Sequence, residues 1–241
     1  MAEWNAELLE NPAYRASIGE LLSQFTYGEE VSYTVAPVVM EHFKDDADVV
    51  AALQSQLDDE VRHHGMFDAQ RDRFALPKEP AHAGIAALAD RIMGMMKKGD
   101  IVGLLFAGSF MLEGFAFTTL AAYSEVTEPE MSRVLLEIME DEGRHVTLNM
   151  GLLRRLMEQD ESVAPRLVEL HGQVLGDIFT TFVTKVDFAR DAGLDSDWVL
   201  TRSLFHHAQR VRRLHLPRPL AHALLEDSGR ILGTRTQSQS R

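Results

Sequence analysis

Two five-residue strings in this chain repeat one pattern of acid, base and imidazole: Asp59-Glu60-Val61-Arg62-His63 and Asp141-Glu142-Gly143-Arg144-His145. At average residue usage, four matching positions at fixed spacing arise by chance on the order of 10⁻⁵ times per position, so the repeat is not accidental. On a helix, Glu-x-x-His sets a carboxylate and an imidazole one turn apart on the same face. Each string also follows an apolar stripe that contains a glutamate, Glu29 before the first and Glu113 before the second. The candidate metal-ligating and catalytic residues are therefore Glu29, Glu60, His63, Glu113, Glu142 and His145. Four carboxylates gathered in an apolar bundle would repel one another and lose their hydration, and most would hold protons. Two divalent cations supply the four positive charges that neutralise them. The chain has no cysteine, and a carboxylate–imidazole set suits iron or manganese better than structural zinc. The plainer alternative is a pair of solvated helix faces with Asp59–Arg62 and Asp141–Arg144 ion pairs. It explains neither the repeat nor the way the glutamates fall at one level.

That level follows from the elements that must carry them. Ile18, Leu22, Phe25, Ser32, Ala36, Met40 and Phe43 recur at helical spacing and predict a first helix over 17–43, kinked at Pro37. Glu29 falls in this stripe, whereas Glu30 shares a more polar face with Ser23, Tyr27 and Thr34. Asp45 and Asp46 form a turn and cap a second helix bearing Val50, Leu53, Leu57, Phe67 and Phe74. The pattern breaks at Leu76-Pro77-Lys78-Glu79-Pro80, and a shorter piece over 82–97 reads as a crossover helix. Asp100 caps a strongly apolar third helix that runs to about Val126, and Thr127 with Glu130 forms a capping box for a fourth, ending near Glu158. Glu29 and Glu60 lie almost equally far from the turn at Asp45, and Glu113 and Glu142 almost equally far from the turn at Thr127. For both pairs to meet, helices two and three must run parallel. The crossover helix, about 24 Å long, has the reach to return the chain along the bundle.

The expected fold class is all-α: a four-helix bundle over 17–158 with a long crossover, and further helices over 163–230, near 165–192, 197–215 and 227. All belong to one domain spanning 1–232, followed by a disordered tail over 233–241. Sixteen glycines, eight prolines and the lack of Val/Ile/Thr clusters agree with helices throughout. A formal charge of −13 argues against nucleic-acid binding. The start Met-Ala-Glu-Trp-Asn-Ala-Glu is neither basic nor apolar, and apolar runs elsewhere are interrupted short of a spanning length, so a cytoplasmic protein without membrane association is expected. The stretch from Trp198 to Leu225 carries Arg202, Arg210, Arg212, Arg213 and Arg218 and no acid. It reads as a charged helix face, with docking of an acidic redox or carrier protein as the functional alternative.

The paired Glu and Glu-x-x-His sets resemble the ferritin-like di-iron carboxylate superfamily over residues 17–158. The repeated Asp-Glu-x-Arg-His pentad is most similar to the hydroxylase subunits of bacterial multicomponent monooxygenases, and Glu113-Gly114-Phe115-Ala116 resembles aldehyde-deformylating oxygenases. The resemblance implies that the six residues above are ligands. It departs at Phe117, where multicomponent hydroxylases typically carry a threonine, and at Phe67, where the radical-forming subunit of ribonucleotide reductase carries its tyrosine. The expected function is an O₂-activating di-iron oxidoreductase, with a Mn/Fe pair as an alternative cofactor, acting on an apolar small-molecule substrate. No flavin, nicotinamide or cysteine-cluster signature is visible, so electrons are expected from a reductase or ferredoxin. A homodimer is the commonest assembly for such a chain. The competing readings are a ferroxidase that stores or handles iron, a Mn/Fe ligand-binding oxidase, and a bundle serving only in protein interaction. His64, His171, His206 and His207 read as surface or packing residues, and Phe106, Phe110, Phe115 and Phe117 as core. Gly103, Gly108 and Gly114 permit either close packing or a narrow channel beside Glu113.

Overall fold

The structure is a computed structural model that describes residues 6–184 and 186–238. Among these, a 3₁₀ turn at Ala6–Glu10 precedes α1 (Pro12–His42), α2 (Ala47–Arg73), the crossover helix α3 (Ala83–Lys97), α4 (Ile101–Ser124) and α5 (Pro129–Gln159). Then come α6 (Val163–Thr184), α7 (Val186–Asp191), α8 (Ser196–Arg213) and α9 (Arg218–Ser238). The all-α expectation holds, with no strand among the described residues. Helices α1, α2, α4 and α5 form the bundle, with α1 packed on α2 and α4 on α5.

Local signals set most boundaries. The Asp46 carboxylate accepts from the Val49 N–H at 3.2 Å and pairs with Arg155, tying the start of α2 to α5. Asp100 caps α4 through the Gly103 N–H at 3.0 Å. Gly99, at φ +64°, makes the left-handed turn that separates α3 from α4. Two termini differ from the sequence reading. Helix α1 starts five residues before Ser17, because Asn11 accepts from the Ala13 and Tyr14 N–H groups and Pro12 occupies the first helical position. The cap of α5 is Glu128, not Thr127: Pro129 fixes the first helical φ, and the Glu128 carboxylate accepts from Glu130 and Met131 at 3.1 Å each. The chain continues helically through Pro37, and α9 reaches Ser238, past the Gly233 at which the apolar pattern stops. The end of the expected tail, 239–241, lies outside the described residues.

Two apolar clusters fill the bundle, one above and one below a polar layer. The first joins Val31, Val35 and Val39 of α1 to Leu104–Ala107, Phe110 and Met111 of α4, together with residues of α3, α5, α6, α8 and α9. The second joins Tyr14, Ile18, Leu21 and Leu22 of α1 to Leu120 and Tyr123 of α4, Phe67 of α2 and Leu135 and Ile138 of α5. The same pairings show that α1 and α4 run antiparallel. Helix α4 corrects the sequence reading on one point: with a mean hydropathy of 1.7 over its most apolar window it is long and apolar enough to cross a membrane, yet 67% of that window is buried inside the protein. Its apolar surface serves as core.

Beyond the bundle, α6 packs on α3 and α8 on α4. Gly84 of α3 lets the chains approach closely: a Cβ there would lie 2.4 Å from the Asp177 carbonyl. Arg91 seals this contact with an ion pair to Asp177 at 2.9 Å. His171 and His207 are fully buried and stacked, with their Nε2 atoms 2.9 Å apart, which fits a packing role. The charged-face reading of 198–225 fails at Arg210, whose Nε and Nη2 are buried without hydrogen-bond partners against Gly114 and above the Phe115 ring. Burial pulls this guanidinium down to about 10.

Phe110 is fully buried in the first cluster. Phe110→Ala should lower unfolding free energy by about 3–5 kcal/mol, well beyond the loss from Asp46→Ala, which removes only a cap and its ion pair. Denaturant unfolding of both variants measures the contrast.

Candidate metal centre

The six sequence-predicted residues meet in the seam between the two apolar clusters. Glu29 comes from α1, Glu60 and His63 from α2, Glu113 from α4, and Glu142 and His145 from α5. All six are 5% exposed or less. Glu29, Glu60, His63 and Glu142 each offer one ligand atom within a 4.8 Å cluster, and so do Glu60, Glu113 and His145. The two groups share Glu60. His63 Nδ1 lies 3.4 Å from Glu142 and 3.8 Å from Glu29, while His145 Nδ1 lies 3.2 Å from Glu60 and 3.8 Å from Glu142. Glu30, one residue from Glu29, points away to His64 at 3.3 Å and Lys78 at 3.2 Å.

The outer nitrogens explain the rest of the pentads. His63 Nε2 meets Asp141 at 3.0 Å and His145 Nε2 meets Asp59 at 3.2 Å, so each imidazole is held by the aspartate of the other string. Arg62 bonds Asp59 at 2.8 Å and also Asp141, while Arg144 bonds Asp59 at 3.2 Å and also Asp141. This frame fixes both rings with Nδ1 inward and makes each histidine a better ligand. Burial alone would raise the Asp141 carboxyl, but its bonds to His63, Arg62 and Arg144 hold it down to about 2.

The inner groups have the opposite problem. Burial, then the charge of Glu60, pushes Glu29 well above the ordinary carboxylate range, and burial with Glu60 and Glu142 does the same to Glu113. Burial also opposes charge on Glu60, but the adjacent Glu29 carboxyl and the positive charges of His145 and His63 outweigh it and hold this carboxyl at about 2. His145, which burial alone would keep neutral, is driven up to about 11 by Glu142 and Glu60. Without metal, protons balance the charge. Even so, Glu60 Oε2, Glu113 Oε2, Glu142 Oε2 and both histidine Nδ1 atoms are buried with no hydrogen-bond partner. Five inward, unsatisfied donor atoms of N and O type fit a pair of divalent cations.

Two supporting features were not anticipated. Gln56 donates to Glu60 at 3.3 Å and to Glu113 at 3.2 Å, and accepts from Asn149 at 2.8 Å. Gln56 lies one turn before Glu60 and Asn149 one turn after His145, so extending each stripe by a turn would have found them. The other is a π-helical segment, Leu105–Glu113, that ends on the inward glutamate of α4. Such a segment widens the helix and shifts the residues after it, a feature frequent at functional sites. Of the glycines considered for a channel, Gly103 packs against Met95 and Asp100 and Gly114 against Arg210, while a Cβ at Gly108 would meet nothing.

A cavity of about 170 Å³ opens directly onto Glu29, Glu113 and Glu142. Leu21, Phe25, Leu112, Phe115 and Ala116 line it, so Phe115 is both core and wall. Phe106 and Phe110 are core, and Phe117 lies against Gly143 and His206.

Three outcomes are expected. Glu29→Ala should lose bound iron while Glu30→Ala keeps it, measured by metal analysis after reconstitution; equal loss would contradict the assignment of inward and outward faces. Asp141→Ala should weaken metal affinity by roughly 10- to 100-fold with the fold retained. Because Glu29, Glu113, His63 and His145 all hold protons more tightly than free side chains do, cations must displace protons. Apparent metal affinity should therefore rise with pH and binding should release protons, which calorimetry in buffers of different ionisation enthalpy detects.

No protein-family model matches the sequence, and no curated protein is similar to it by sequence. Solved structures are similar in fold. A protein from Synechococcus described as having aldehyde deformylating oxidase activity superposes with a TM-score of 0.80 at 16% identity, over 94% of this chain and 99% of that one. Two variants of an R2-like ligand-binding oxidase with reconstituted Mn/Fe cofactors superpose with TM-scores of 0.71 and 0.72 at 16% and 15% identity, over 86% and 88% of this chain and 83% and 85% of theirs. The chain thus has the ferritin-like helical fold of these oxidases.

Proposed function

We propose that this protein is an oxidoreductase that binds two iron ions, or one manganese and one iron, through Glu29, Glu60, His63, Glu113, Glu142 and His145, and activates O₂ against an apolar substrate. The observation that carries the reading is the opening of the apolar cavity directly onto three of the four buried glutamates. A storage ferroxidase has no use for an apolar chamber beside its metals. The fold shared with an aldehyde-deformylating oxidase and with Mn/Fe oxidases supports the same class.

The bound metals would supply electrons to O₂. The chain's own residues do the rest. The glutamates neutralise the cations and can change how they bind as charge changes, while the Asp59 and Asp141 frame keeps the imidazoles fixed. Gln56 holds Glu60 and Glu113 in register. Leu21, Phe25, Leu112 and Phe115 exclude water and present an apolar chain to the carboxylate layer. With no cysteine in the chain, electrons for repeated turnover come from a separate reductase or ferredoxin. A cytoplasmic location and a homodimer complete the reading.

Purified protein reconstituted with ferrous iron without oxygen and then exposed to O₂ should consume O₂ and develop the absorption of an oxidised cluster. A Glu60→Ala, His145→Ala protein treated in the same way should show neither. Iron-loaded wild-type protein that takes up no O₂ would contradict the proposal.

A further inference from the structure

The cavity that opens on the glutamates has a second polar end. From Glu29 to Glu20 its wall follows α1 for about 13 Å, and from Glu113 to Tyr123 it follows α4 for about 15 Å. Because the two helices are antiparallel, both stripes lead away from the carboxylate layer in one direction and finish together. There the Tyr123 hydroxyl hydrogen-bonds Ser17 with Glu20 beside it, and the Glu20 carboxylate contacts the His82 imidazole at the start of α3. Gln24 links them, donating to Glu20 at 3.2 Å and accepting from the His82 backbone N–H at 2.8 Å. Ser17, Glu20, His82 and Tyr123 are 0%, 7%, 8% and 7% exposed, and all line the cavity. Between the two ends Leu21, Phe25, Phe115 and Ala116 make the wall mainly apolar, with Gln24 and Thr119 as its polar members on α1 and α4.

A carboxyl–imidazole contact and a phenol on the wall of an apolar chamber lose their hydration, and a methyl-terminated chain laid against them returns none of it. A carboxylate would set its oxygens against those of Glu20. A hydroxyl or an amide suits the set, because it can donate to Glu20 and accept from His82 or Tyr123. We infer that this end of the cavity is a recognition site for a neutral hydrogen-bonding group, a hydroxyl or amide, at the far end of an extended apolar substrate whose reacting end lies at Glu29, Glu113 and Glu142. The inference rests on the reading of the cavity as the substrate chamber, and it makes Glu20 and His82 specificity-determining residues outside the metal centre.

The test is binding, which requires neither metal nor O₂. Decanol and α,ω-decanediol have the same chain, and the diol spans roughly the separation of the two polar ends. Their dissociation constants are measured on the full-length protein, on Glu20→Leu with His82→Leu, and on Glu20→Gln with His82→Gln. The leucine pair should shift the diol-to-decanol affinity ratio against the diol by about tenfold or more, while the glutamine pair keeps the wild-type ratio within a few-fold. A ratio unchanged by the leucine pair overturns the inference. If the leucine protein does not fold, wild-type protein decides alone. Across hexanediol, decanediol and tetradecanediol, each against its mono-alcohol, the second hydroxyl should be best tolerated in decanediol. A ratio that varies smoothly with chain length, without an optimum there, overturns the site. Failure of the O₂ chemistry would leave these ratios unaffected, so the two readings fail separately.

Discussion

Four buried carboxylates, linked through Glu60 into two groups whose facing atoms lie within 4.8 Å of one another, set the terms for the rest of the structure. No apolar packing compensates for such a cluster; it needs positive charge, supplied here by protons on glutamates and imidazoles or by two cations. The surrounding structure keeps the histidines from escaping that role. Asp59 and Asp141 hold the outer nitrogens, Arg62 and Arg144 neutralise the aspartates, and the cross-pairing ties α2 to α5 at the level of the centre. Removing one partner from such a network leaves a buried charge exposed to its neighbours, so the pentad acts as a unit.

The scaffold around this layer divides its work. Apolar clusters above and below hold the four helices in register, while α3 and the helices after 163 add a wall that a bare bundle lacks. Ile178 and Thr181 of α6 and Val199 of α8 contribute to the cavity wall. The π-helical segment of α4 lies where the helix must serve both purposes: it ends on Glu113, and the residues just after it turn toward the cavity. A helix that packs, carries a buried carboxylate and lines a chamber within three turns has few regular solutions.

Much of this was legible in the sequence because helical periodicity is strict. Glu29 and Glu30 are chemically identical neighbours, and only the stripe from Ile18 to Phe43 separates the buried one from the half-buried one. The hairpin arithmetic placed the pairs at one level because both turns carry plain caps and breaks. What escaped notice depends on contacts between distant segments. Nothing local to Arg210 distinguishes it from Arg212, yet Gly114 leaves a slot that takes its guanidinium. The Glu20–His82 contact joins residues from two elements whose approach is set by the crossover. The widening of α4 likewise has no composition of its own, and Pro129 outranked Thr127 in starting α5 because a fixed φ decides more than a hydroxyl does.

The central claim is that six side chains from four helices form one two-metal centre. A crystal structure of iron-reconstituted protein, with anomalous diffraction recorded at the iron edge, tests it most directly. Two iron peaks in the seam between α1, α2, α4 and α5, within bonding distance of the six inward side chains, are the predicted result. A single peak, peaks outside that seam, or an iron bound through the outer nitrogens or through Glu30 and His64 would contradict it.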